Sequence, residues 1–317
     1  MVEILVMGGT EFVSSSIAKH LIEKGYSVDI FTRGIKSIKF EGVRNHLKGD
    51  RKSSEDLESA LADRQYDYVF DISAYTKGDV ESLINVLNKD KLKRYIFCSS
   101  GAVYNSTTEL IKEDFPRGEN HVWGTYGYDK KAAEDYLFSK WESEKLPIVI
   151  FRPTYIYGEN NNLYRESFLF DRITEERPIP IPYGNDTRTQ FIHISDLVKV
   201  FESAMFCDKA SGQAYNVTHP EIVTWEDWIK AGFEVTGKSV EIKRVNMKEA
   251  DIRDREFFPF RDVTYYLDTE KAEKEGLYMP KLDLREGMAQ TYQWYQEVKP
   301  KLIDRRMTKV EIALNLE

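Results

Sequence analysis

Val2-Glu3-Ile4-Leu5-Val6-Met7 runs straight into Gly8-Gly9-Thr10, and Phe12-Val13 then opens an amphipathic stretch from Ile17 to Lys24. The apolar run is far short of the roughly 20 residues that span a bilayer. It reads as a buried strand, a tight turn and a helix, the context a dinucleotide-binding turn requires. A helix N-terminus there offers free amides to a pyrophosphate. The alternation continues to about residue 152. Strands are expected at 2–7, 27–32, 44–48, 67–71, 94–98 and 147–151, and helices at 12–24, 54–63, 78–88 and 127–143. Alternation of this kind implies an α/β fold, a doubly wound parallel sheet with helices on both faces.

Further along, Tyr126-Gly127-Tyr128-Asp129-Lys130-Lys131-Ala132-Ala133-Glu134 places Tyr126 and Lys130 four apart on an expected helix. Both side chains then leave the same face. A phenol is a poor base at its ordinary pKa of about 10, and a lysine one turn away favours the phenolate. Such a pair can move a proton to or from a hydroxyl. Taken alone, YxxxK on an exposed helix carries little weight. Two other segments add to it. Phe97-Cys98-Ser99-Ser100-Gly101-Ala102-Val103-Tyr104 is an apolar strand entering small hydroxyl residues. Phe151-Arg152-Pro153-Thr154-Tyr155-Ile156-Tyr157-Gly158 is a strand end breaking into a loop.

In this order and spacing the segments resemble the extended short-chain dehydrogenase/reductase family, the epimerase/dehydratase group. The resemblance takes in Gly49-Asp50-Arg51, Asp67 to Ala74, Phe191 to Asp196 and Leu267 to Ala272, and so covers nearly the whole chain. Met7 to Thr10, Phe31 to Gly34, Arg177 to Pro182 and Phe258 to Asp262 look like one divergent branch, the chloroplast stem-loop RNA-binding proteins and their bacterial relatives. The resemblance implies a Rossmann-type domain over 1–152 plus about 191–218, and a smaller, discontinuous substrate domain over about 153–190 and 219–317. Phe191–Ile194, Asp196–Phe206 and Ala214–Val217 should return to the main sheet. The three prolines between Arg177 and Tyr183 exclude a central strand there. Lys299 to Glu317 has no clear family counterpart.

The resemblance implies catalytic roles for Ser100, Tyr126 and Lys130. Tyr126 would be the acid/base. Lys130 would hold the nicotinamide ribose and lower the phenol's pKa, and Ser100 would bond the reacting oxygen. Bringing a phenol from about 10 to about 7 takes roughly 4 kcal/mol. Ser99 reads as a structural neighbour, and Tyr128 and Lys131 lie off the shared face. The cofactor would be NAD(P), held by Gly8, Thr10, Glu11, Phe12, Val13, Thr32, Arg33, Asp50, Arg51, Ser73, Ala74, Lys130 and Pro153, with Asp50 at the adenine edge. Substrate would meet Tyr155, Arg188 and Arg261, with Arg165 and Arg172 as further candidates. No zinc-like Cys/His spacing occurs.

The chain also departs from the family. The family turn is GxxGxxG, and here Glu11 and Ser14 stand at its second and third glycines. Three readings of Glu11 stay open: it reaches the adenosine ribose, it pairs with Arg33, or it marks a site that no longer binds cofactor. Thr32-Arg33 stands where an Asp usually meets the ribose 2′-OH. This leans toward NADP, while Glu11 leans toward NAD. Asp71, where the family often has His, reads as an Asx-type loop cap. Gly101-Ala102 stands where dehydratases place Asp-Glu, which argues against 4,6-dehydration. What remains is epimerisation of a nucleotide sugar by hydride removal and return. The alternatives are reduction of a small carbonyl compound, or a non-enzymatic RNA-associated or regulatory role on the same fold.

Composition bounds these readings. The 317 residues are 41% hydrophobic and 31% charged, with net charge −8. An acidic balance disfavours nucleic acid, whose binders carry basic footprints. Lys89, Lys91, Lys93 and Arg94 read as charges around a helix end. Cys98 and Cys207 read as buried free thiols in a reducing cytoplasm. No membrane segment is expected, and a strand beginning at residue 2 leaves no room for a leader. A homodimer is expected through the YxxxK helix and its neighbour, by Tyr136, Leu137 and Phe138 with Leu83, Val86 and Leu87.

Overall fold

The computed structural model describes residues 1–118, 120–184 and 186–315. Its first half alternates as expected: β1 (Glu3–Met7), α1 (Phe12–Glu23), β2 (Ser27–Thr32), β3 (Asn45–Lys48), α2 (Ser54–Leu61), β4 (Tyr68–Asp71), α3 (Lys77–Val86), β5 (Arg94–Cys98), α4 (Thr125–Glu144) and β6 (Ile148–Pro153). The second half is shorter-grained: β7 (Tyr155–Tyr157), α5 (Glu166–Thr174), β8 (Ile179–Tyr183), β9 (Phe191–His193), α6 (Ile194–Ser203), β10 (Gln213–Val217), α7 (Trp225–Thr236), β11 (Ile242–Asn246), α8 (Met247–Ala250), α9 (Glu270–Glu275), α10 (Leu284–Val298) and α11 (Val310–Leu314).

Seven parallel strands form the main sheet among the described residues, in the order β10-β6-β5-β4-β1-β2-β3. The strands are apolar at successive positions because both sheet faces are covered. Ile4 and Val6 enter the core beneath α1 and α6, while Leu5 and Met7 enter the core beneath α2, α3 and α4. The chain runs one way from β1 to β2 and the other way to β4. The crevice at a strand-order switch of this kind is where such sheets bind ligands.

The second half corrects one expectation. β10 does join the main sheet, beside β6, but β9 does not. It pairs with β7 in a separate two-stranded parallel sheet. The reason is edge availability: β10 occupies the outer edge of β6 up to Pro153, so β9 finds its partner on β7 after the chain has left the sheet. Among the described residues β8, with its prolines, pairs only with β11, which suits residues that lack an N–H. A third core lies here, around Trp225, Trp228, Phe258 and Phe260.

Leu83, Leu87 and Leu137 are buried in the parent core, so these members of the expected dimer face are not at the surface; Tyr136, Phe138 and Val86 are half-buried. The basic run follows α3 and meets acids: Lys89–Glu144 at 3.9 Å, Lys91–Glu3 at 2.7 Å, Lys93–Asp67 at 3.1 Å and Arg94–Asp208 at 3.5 Å. Cys98 and Cys207 are buried and free. The C-terminal segment folds back on the chain: Met307 and Val310 pack on the third core, and Ala313 is buried in it.

Candidate active site

A cleft of about 1110 Å³ opens over the C-terminal ends of β1, β2, β4, β5 and β6. Its first wall is the turn after β1. Gly8 has φ +110°, and a Cβ there would lie 2.7 Å from the Ser14 Cβ. That close approach of turn and helix is what a glycine permits. Glu11 stands at the N-cap of α1 with an extended backbone, yet its side chain makes no cap. Its carboxylate instead meets Lys36 and accepts from Asn162 Nδ2 at 3.2 Å. Of the three readings of Glu11, pairing with Arg33 is not the one its side chain takes; Arg33 is exposed on the cleft rim. Phe12 sits at φ +26° with its side chain buried, a strained backbone of the kind found at functional turns.

The second wall carries Thr32, Asp50, Arg51 and Ser73. Thr32 Oγ1 is shared with His46 Nε2 at 2.7 Å and accepts from the Gly34 amide at 3.0 Å. Asp50 Oδ1 accepts from the Lys52 amide, the turn cap a lone Asp provides. Arg51 is tied down. It donates to both Asp71 oxygens at 2.7 and 3.0 Å, to Ser73 Oγ at 2.9 Å and to the Asp79 carbonyl at 2.8 Å. Asp71 is therefore no loop cap. It closes β4 fully buried, and it also accepts from Tyr95 at 2.6 Å. A buried carboxylate needs such partners.

At the floor, α4 brings Tyr126 and Lys130 to one side of the cleft, beside Ser100. Lys130 Nζ donates to the carbonyls of Ala74 and Cys98, each at 2.6 Å, so Ala74 acts through its backbone. Burial lowers the Lys130 pKa, against Cys98 and Asp71. Burial also raises the Tyr126 pKa, with Cys98 adding to it; a Ser100 hydrogen bond and Arg165 oppose it. Ser99, one residue away, donates to the buried Glu134 carboxylate at 2.5 Å. Tyr128 is 42% exposed, off the shared face.

Two glycines set this floor. A Cβ on Gly127 would meet the Ala102 carbonyl oxygen at 2.3 Å, so α4 presses on the Ser100 loop. A Cβ on Gly101 would meet the Tyr265 hydroxyl at 2.1 Å. The place a side chain at 101 would take is filled by Tyr265.

The far wall holds Trp123, Tyr155, Arg165, Arg255, Phe260, Arg261, Tyr265 and Arg306. Tyr155 and Arg261 were anticipated as substrate contacts. Arg188 does not line the cleft: it is exposed and pairs with Asp186 at 2.9 Å. Arg172 donates to the Pro178 carbonyl and pairs with Glu311, also away from it. Arg255, Arg306, Trp123 and Tyr265 were not anticipated. Trp123, three residues before Tyr126, carried the one usable signal, an aromatic residue leading into the YxxxK helix.

A family model described as the NAD dependent epimerase/dehydratase family matches residues 4–218. The chain belongs to that family. Solved structures share the fold of this chain. UDP-glucose 4-epimerase of Thermotoga maritima, solved with UDP-glucose, is similar with TM-score 0.79 at 20% identity, over 94% of this chain and 100% of that one. dTDP-glucose 4,6-dehydratase of Bacillus anthracis, solved with NAD, has TM-score 0.79 at 18% identity, over 95% and 99%. A higher identity, 33% over 309 residues, is found with the chloroplast stem-loop binding protein of 41 kDa b of Arabidopsis thaliana, over 92% of this chain and 78% of that protein. Among the described residues no helix is long and apolar enough to cross a membrane, and no group of three or more His, Cys, Asp or Glu could hold a metal.

Proposed function

We propose that this member of the family is a nucleotide-sugar epimerase working by hydride removal and return. The observation that carries the reading is the floor of the cleft. Tyr126, Ser100 and Lys130 gather there, while Tyr265 fills the side-chain place at Gly101, leaving no acid for dehydration. The residues also fit a nicotinamide dinucleotide. The first turn of α1 lines the cleft without a side-chain cap, and uncapped amides suit a pyrophosphate. When bound, the nicotinamide supplies a hydride acceptor that can give the hydride back.

In this reading Tyr126 takes the proton of the sugar hydroxyl and returns it to the same oxygen. Ser100 shares a hydrogen bond with that oxygen. Lys130 keeps its third N–H for a ribose hydroxyl, two being committed to carbonyls. Gly8, Thr10, Glu11, Phe12, Val13, Thr32, Arg33, Asp50, Ser73 and Pro153 surround the dinucleotide; Arg51 serves as the strut behind Ser73. The choice between NAD and NADP turns on Arg33 and Glu11. The protein works as a homodimer through the half-buried faces of α3 and α4, and two free thiols fit a reducing cytoplasm.

The test is interconversion of UDP-glucose and UDP-galactose by purified protein, followed by chromatography with NAD and with NADP. Absence of product from these and other UDP-sugars, with cofactor bound, would sink the reading. The stem-loop-binding relative suggests RNA as a second reading. Against it, the basic run at 89–94 is paired with acids rather than free for phosphates.

A further inference from the structure

The floor of the cleft holds a second phenol. Tyr265 lines the cleft together with Tyr126 and Ser100, yet it follows residue 218, where the family match ends. Backbone sets its place. The Tyr265 amide donates to the Arg188 carbonyl at 2.7 Å, and a parallel bridge pairs Thr189 with Tyr265. Two residues on, the Leu267 amide donates to Gln190 Oε1 at 2.7 Å. The Tyr265 ring packs against Trp123 and Tyr155, with centroids 5.5 and 6.0 Å away. Its hydroxyl stands 2.1 Å from where a Cβ on Gly101 would lie. Gly101 is not among the residues with positive φ. The turn does not call for a glycine there; the hydroxyl does.

Tyr265 is buried, and a buried hydroxyl has to place its proton. The Pro153 carbonyl is 3.4 Å away, longer than the roughly 2.5–3.0 Å of a good O–H···O bond. Ser100 is the nearer match: it hydrogen-bonds both Tyr265 and Tyr126. Burial, with Tyr155 and Tyr126 adding, holds the Tyr265 pKa well above the ordinary phenol value, so this phenol keeps its proton and is a standing donor. A serine hydroxyl has one proton and two lone pairs. One lone pair of Ser100 Oγ accepts from the Ala102 amide at 3.2 Å. With the second filled by Tyr265, the Ser100 proton has one direction left, toward Tyr126 and the oxygen beside it.

We propose that Tyr265 is a positioning residue for the reaction: its O–H donates to Ser100 Oγ and so fixes Ser100 as a donor to the oxygen that Tyr126 deprotonates and reprotonates. Gly101 lacks a side chain so that this hydroxyl can reach Ser100. The second half of the chain thereby completes a floor built by the first. The identity of the reacting oxygen rests on the epimerase reading; the hydroxyl pair is tested without turnover.

The experiment is a double-mutant cycle on the full chain: Tyr265→Phe, Ser100→Ala and the two combined. In the interconversion of UDP-glucose and UDP-galactose, Tyr265→Phe should lower kcat by about ten- to a hundredfold, with KM nearly unchanged because the ring stays. Ser100→Ala should lower kcat at least as far. The double variant should be no slower than Ser100→Ala, since Tyr265 acts through that hydroxyl alone. Losses that multiply would make Tyr265 an independent contact, and an unchanged kcat would make it a packing residue; either result overturns the proposal. Urea unfolding reads the same cycle without substrate. The drop in midpoint caused by Tyr265→Phe should shrink in the Ser100→Ala background, and additive drops overturn the proposal. Coupled midpoints without interconversion of any UDP-sugar would support the hydroxyl pair and remove the epimerase reading alone.

Discussion

The two ends of the cleft are made of different material. At the sheet end the contacts are backbone groups: the glycine turn after β1, the uncapped start of α1, and the Ala74 and Cys98 carbonyls that hold Lys130. At the far end they are side chains, arginines laid over aromatic rings and drawn from segments as distant as Arg165 and Arg306. Backbone groups are positioned by sheet register and survive substitution, so Ser14 and Glu11 can replace family glycines without removing the turn. Side-chain groups exist only as long as each residue does. In the proposed function the sheet end therefore sets which chemistry is available, and the far end sets what receives it.

The sharpest way to break this comparison is at the floor where the two ends meet. Tyr126→Phe keeps the ring and removes the transferable proton. Turnover should fall on the order of 10²–10⁴-fold, with cofactor affinity nearly unchanged in a titration. A Phe variant with ordinary turnover would take Tyr126 out of the mechanism. Gly127→Ala touches no ligand, yet its methyl would stand 2.3 Å from the Ala102 carbonyl. Because the obstacle is backbone, α4 has to move away from the Ser100 loop, and a misplacement of about 1 Å can cost about 10²-fold in rate. Steady-state rates should show the loss in kcat with the fold intact by circular dichroism. Unchanged kcat would mean that α4 is not registered on that loop.

The sheet end was legible in the sequence for a physical reason. Parallel strands covered on both faces give continuous apolar runs, and each ends in small or polar residues that mark the cleft rim. β1 was expected at 2–7 and spans Glu3–Met7; the YxxxK helix was expected at 127–143 and spans Thr125–Glu144. Pairing in the second half was not legible, because β7 and β9 have three residues each and their partners depend on which edge is left free. Arg51 lines the cleft, but nothing in the sequence shows that Asp71, twenty residues on, takes its fork. Arg255 and Arg306 carried no signal at all. A surface arginine and a cleft arginine look alike until the C-terminal segment is folded back.

A third measurement probes the far end without substrate. Glu166, at the start of α5, is buried, with Oε2 accepting from Asn161 and Oε1 unpartnered among the described residues. Burial raises its pKa to about 7, against Arg165 and the Asn161 hydrogen bond. The sign follows from linkage: a folded-state carboxyl pKa above its unfolded value means the native state holds more protons. Stability then falls as pH rises from about 4.5 to about 7. Glu166→Gln has no proton to lose. Urea midpoints should coincide near pH 5, and the variant should be more stable at pH 8 by on the order of 1–2 kcal/mol. Parallel pH profiles for the two proteins would show that Glu166 titrates normally.

The smallest effect belongs to Glu11, and it sharpens the comparison most. Its carboxylate is 42% exposed and joins the two ends of the cleft, reaching Lys36 beside β2 and Asn162 in the loop after β7. Burial would raise its pKa, but Lys36 and Asn162 outweigh that and leave it below the ordinary carboxylate range. Exposed pairs of this kind contribute about 0–1 kcal/mol, so Glu11→Gly should change the melting temperature little in the absence of ligand. The same substitution removes a negative charge beside the amides of α1. If those backbone groups are what hold the dinucleotide, NAD affinity should be unchanged or rise by roughly a fewfold, as expected for a charge near a helix terminus, and NADP should gain at least as much. If the Glu11 side chain is itself a ribose ligand, NAD should lose affinity while NADP does not. Melting curves with each cofactor at saturating concentration decide it, since a hundredfold excess over Kd stabilises by roughly 2.7 kcal/mol. A loss confined to NAD would mean that the sheet end, too, depends on one side chain, and the contrast between the two ends would no longer hold.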